Sequence, residues 1–130
     1  MPISYAIDRS RDLTIFTLSG VMGYQEFISA LTDYGSKGPT FYELYDLRSI
    51  TGKRLTSGEI NSLADFLSRH PDLRPAGNKT AVVVSEDVDY GFSRMISILT
   101  EDSTVYDIEV FRDVEEGWRW LGIDSDPPSE

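Results

Sequence analysis

Four consecutive residues, Thr56-Ser57-Gly58-Glu59, combine two hydroxyls, a glycine and a carboxylate just ahead of an apolar periodic run. Thr56 followed three residues later by Glu59 matches a capping box. In that arrangement the threonine oxygen accepts from an orphan amide of the first helical turn, and the glutamate accepts from the amide of the capping residue. The same residues also fit a modification site. A phosphate on Ser57 or Thr56 would bring roughly −1.5 to −2 charges to the positive end of a helix dipole and reset what an exposed corner binds. Both readings require a helix to start here.

Other groups are weaker candidates for chemistry. Asp46 lies near the end of the aromatic run Phe41 to Leu47, and Glu86 and Asp87 follow the run TAVVV. Carboxylates at the carboxyl ends of parallel strands can hold magnesium, which favours carboxylate and water oxygens. A phospho-accepting aspartate site needs an acidic pair after an early strand and a lysine after a late one. Neither is present, and Arg112-Asp113 occupies the lysine's place. Asp87 and Asp89 equally suit the N-terminus of a helix. His70 is the single histidine, stands before Pro71 and reads as a helix C-cap. The string Gly35 to Thr40 has the wrong order for a phosphate loop and follows a helix, so it reads as a turn. Tyr90 and Arg94 lie four apart at the start of a helical pattern and, with Tyr45 and Asp46, are candidates to line a pocket. Trp118, at the flank of the last apolar stripe, is expected to be partly exposed and able to anchor an interface. No motif demands a cofactor or a metal.

Composition bounds these options. The 130 residues suit one domain. Twenty-two acids against twelve bases give a formal net charge of −10, which argues against non-specific binding to nucleic acid and against docking on an anionic membrane through a polybasic patch. There is no cysteine, so thiol catalysis, disulfides and cysteine-based metal sites are excluded. No stretch is apolar enough for a signal peptide or a transmembrane segment, and a cytoplasmic location is expected.

The elements that must position these residues follow from periodicity. Ile3 to Ile7 and Leu13 to Leu18 flank a polar turn and predict a hairpin. Tyr24, Phe27, Ile28, Leu31 and Tyr34 follow helical spacing, stopped by the cluster Gly35 to Pro39. A strand over Phe41 to Leu47 precedes a second helix marked by Ile60, Leu63, Ala64 and Leu67. TAVVV, continuous and apolar, predicts a strand covered on both faces. Phe92, Met95, Ile96 and Leu99 mark a third helix, Tyr106 to Phe111 a further strand, and Val114 to Leu121 a last helix. The order β-β-α-β-α-β-α-β-α predicts an α/β domain over 1–122, with a mostly parallel sheet of about five strands and about four helices. The hairpin supplies an antiparallel edge strand. Residues 123–130 read as a polar tail.

The strings MPISYAID, LTIFTLSGV, FYELYDL, TAVVVSEDVDYGFSRM and VFRDVEEGWRWLG, in that order over residues 1 to 122, resemble the STAS-like, SpoIIAA-like proteins. This fold family is named for bacterial anti-sigma-factor antagonists. The resemblance implies a non-enzymatic regulatory domain that binds another protein. In the regulatory members a strand-end aspartate precedes an Asp-Ser-Ser-Gly loop whose serine a partner kinase phosphorylates. Here Asp46 matches the aspartate and Ser57-Gly58 the Ser-Gly, while Leu55 and Thr56 replace the preceding acid and serine and the loop is one residue longer. The fold is also similar to that of Sec14-type lipid carriers, which implies an alternative role, holding a small apolar ligand among residues such as Tyr45 and Tyr90. A homodimer through Trp118 or a sheet edge is compatible with either.

Overall fold

In a computed structural model of the chain, residues 3–54, 57–70, 78–85 and 107–123 are described. β1 (Ile3–Asp8) and β2 (Leu13–Gly23) form the hairpin, paired antiparallel from Ile3↔Leu18 to Asp8↔Leu13. Its turn is built by Asp8. One carboxylate oxygen accepts from the Ser10 amide at 3.0 Å and its hydroxyl at 2.6 Å, and the other pairs with Arg11 Nε at 2.8 Å. An aspartate bonded to the backbone two residues on is the chemistry of a tight turn.

α1 (Tyr24–Gly35) follows β2, then β3 (Tyr42–Arg54), α2 (Ser57–Arg69), β4 (Lys79–Val83), β5 (Asp107–Phe111) and α3 (Val114–Leu121). The five strands form one sheet in the order β1-β2-β3-β4-β5, with β2 to β5 parallel and β1 antiparallel at an edge. This is the mixed, mostly parallel α/β sheet that the sequence predicts. The third expected helix, at Phe92 to Leu99, and the tail from Asp124 lie outside the described residues.

Parallel strands covered on both faces carry apolar side chains in both directions. Phe16, Leu18, Tyr45, Leu47, Val84 and Val110 make one core with Tyr34 of α1. Leu13, Leu44, Ala81 and Val83 make the other with Trp118 and Leu121 of α3. Gly117 lets α3 lie close to the sheet: a Cβ there would stand 3.4 Å from Val83 Cγ2. Asp113 caps α3 by accepting from the Glu115 amide at 3.0 Å, and Gly122, at φ 75°, ends it. Leu31 of α1 and Leu63 of α2 join the two helices.

Two expectations change. Trp118 is only 8% exposed, so its ring belongs to the core, and Trp120 takes the half-buried place over Phe111 and Lys79. The reason is that α3 meets the sheet through Gly117, and its neighbour Trp118 is drawn in with it. β3 does not stop at Leu47. Its pairing with β4 ends at Asp46↔Val83, but its pairing with β2 continues to Gly23↔Arg54. Two register shifts, one of them at Gly20 with φ 68°, carry this two-stranded ribbon past the rest of the sheet.

Candidate functional site

The ribbon decides what stands at the carboxyl end of the sheet. Its last pair is Gly23↔Arg54; α1 starts at the next residue on one strand, and α2 starts at Ser57 on the other. The two helices meet through Leu31 and Leu63. Their N-termini, and so the positive ends of their dipoles, share one corner. Gly23, the N-cap of α1, makes no side-chain cap bond. Ser57 is the first residue of α2, Gly58 is exposed and Glu59 is half-buried in its first turn. The expected start of a helix in this segment is therefore present, while Thr56, the capping half of the box, lies outside the described residues.

Asp46 stands where β4 stops pairing with β3. Both its oxygens are engaged by Arg48: Oδ1 accepts from Nε at 2.9 Å and from the backbone amide at 3.1 Å, and Oδ2 from an Nη at 2.9 Å. The guanidinium holds the Asp46 carboxyl below its ordinary pKa, against a smaller opposing effect of burial. The Asp113 carboxylate also favours the charged form of Arg48. Tyr45 is buried, stacked on Phe16 with centroids 4.3 Å apart and planes 4° from parallel, and meets Phe27 edge-on. Successive residues of a strand point to opposite faces, so Tyr45 and Asp46 address different sides of the sheet. Tyr90 and Arg94, and the carboxylates Glu86 and Asp87, lie outside the described residues. His70 caps α2 as expected, donating from Nδ1 to the Phe66 carbonyl at 2.8 Å and stacking on the Phe66 ring.

A polar cluster that sequence reasoning misses is buried at the opposite, amino end of the strands. Glu43 is 1% exposed, and its two oxygens accept from the hydroxyls of Tyr34 at 2.8 Å and Thr80 at 3.1 Å. The Tyr34 oxygen in turn accepts from the Thr40 amide at 2.9 Å. The Thr40 hydroxyl gives its hydrogen to the Tyr42 carbonyl at 2.9 Å, so Thr14, 2.8 Å away, is the donor in the Thr14–Thr40 contact. Burial and the Glu43 charge push the Tyr34 phenol up to about 12. The available signal was polar residues at matching places in three buried strands: Thr14, Glu43 and Thr80 are register partners.

No family model matches the chain, and no curated protein matches it. Among solved structures it is similar to an uncharacterized protein of the DUF3478 family with a SpoIIAA-like fold from Shewanella loihica PV-4. The TM-score is 0.60 at 17% identity, covering 92% of this chain and 93% of that one. The chain has a SpoIIAA-like fold. Among the described residues no three His, Asp or Glu side chains gather as a metal would need, and no helix is long and apolar enough to cross a membrane.

Proposed function

We propose that this protein is a regulatory domain that acts by binding another protein, and that its docking surface is the corner at the ribbon tip. The observation that carries this reading is the Gly23↔Arg54 pairing, which brings two helix N-termini together beyond the end of the sheet. A corner of that kind suits a partner's carboxylates, and it would also hold a phosphate on Ser57 against two helix dipoles. Val21, 45% exposed on the same ribbon, offers an apolar contact beside it. Among the described residues catalysis has no support of comparable kind, since Asp46 is committed to Arg48 and Glu43 is enclosed. A carrier of an apolar ligand is the alternative, and against it Tyr45, Phe16 and Phe27 pack on one another.

The test is mass spectrometry of the protein isolated from its own cells, under native and then denaturing conditions. A phosphate mapped to Ser57 is the expected result. Following it, Ser57→Ala and Ser57→Glu should differ in partner binding. A bare chain that carries a non-covalent apolar molecule would overturn the reading and favour the carrier.

A further inference from the structure

We draw no further inference here: the strongest candidate, the groove of about 550 Å³ between the edge strand β1 and α1, carries nothing because its charged side chains Glu26, Asp33 and Lys37 are already engaged within the fold and nothing in the structure shows what covers it.

Discussion

The two ends of the parallel strands treat their polar residues in opposite ways. At the amino end, Tyr34, Glu43, Thr40, Thr14 and Thr80 are buried and bonded across the fold: Tyr34 to Glu43 over 9 positions, Thr14 to Thr40 over 26, Thr80 to Glu43 over 37. At the carboxyl end, Asp46 bonds to Arg48, two residues along the same strand, with the side chains 23% and 45% exposed. A bond between distant segments ties α1, β2, β3 and β4 to one another, whereas a bond within one strand ties nothing else down. The amino end is thus a fastening, and the carboxyl end is left with backbone ends and exposed groups that a partner can use.

The sharpest way to break this contrast is Glu43→Ala. It removes the carboxylate that accepts from the Tyr34 and Thr80 hydroxyls in a closed core and opens a cavity there. A loss of about 3–5 kcal/mol in urea unfolding is expected, the usual cost of breaking a buried charged network. A loss below about 1 kcal/mol, the range of exposed pairs, would erase the distinction between the two ends.

Tyr34→Phe is the next test, because it removes one hydroxyl and keeps the ring that packs on Phe16 and Tyr5. The Thr40 amide loses its acceptor and one Glu43 oxygen loses a donor, for an expected cost of about 2 kcal/mol. The same residue sets an alkaline limit. Its folded-state pKa is raised from 10.0 to about 12, so the folded state holds the phenol proton more tightly than the unfolded state does. The linked stability is fully present below pH 10.0 and is lost as pH rises towards about 12. Unfolding midpoints between those pH values should fall for the parent chain and fall less for Tyr34→Phe.

Legibility in the sequence follows the same division. Apolar periodicity predicts the hairpin, α1, the buried β4 and the last helix, because those elements are determined by which face they bury. The fastening at the amino end is hidden by its own chemistry. Glutamate in FYELYDL is ordinarily an exposed residue of a strand, and its partner Tyr34 is separated from it by the breaker cluster Gly35 to Pro39. Only the parallel register, which sets Thr14, Glu43 and Thr80 side by side, makes the cluster visible. The ribbon is missed for a different reason. Arg48 to Arg54 is polar and contains glycine, so it reads as a loop; it is a strand because β2 continues alongside it and supplies main-chain partners. The helix start at Ser57 is read correctly, since caps and first turns are local features.

The smallest expected effect belongs to Asp46. Its carboxyl is held below the ordinary 3.8, chiefly by hydrogen bonds from Arg48, so the folded state binds that proton less readily than the unfolded state. The sign is opposite to that of Tyr34: the linked stability is present above pH 3.8 and is lost as pH falls through the folded value. Both side chains of the pair are open to solvent, which screens the interaction, and Asp46→Ala is expected to cost under about 1 kcal/mol at neutral pH. Acid titrations of the parent and Asp46→Ala chains should converge below pH 3.8 and separate slightly above it. A cost as large as that of Glu43→Ala would mean that Asp46 fastens the carboxyl end too, leaving less of it free for a partner. A small cost places the stability of the sheet at its amino end, and substitutions at the ribbon corner can then be read as effects on binding without a correction for unfolding.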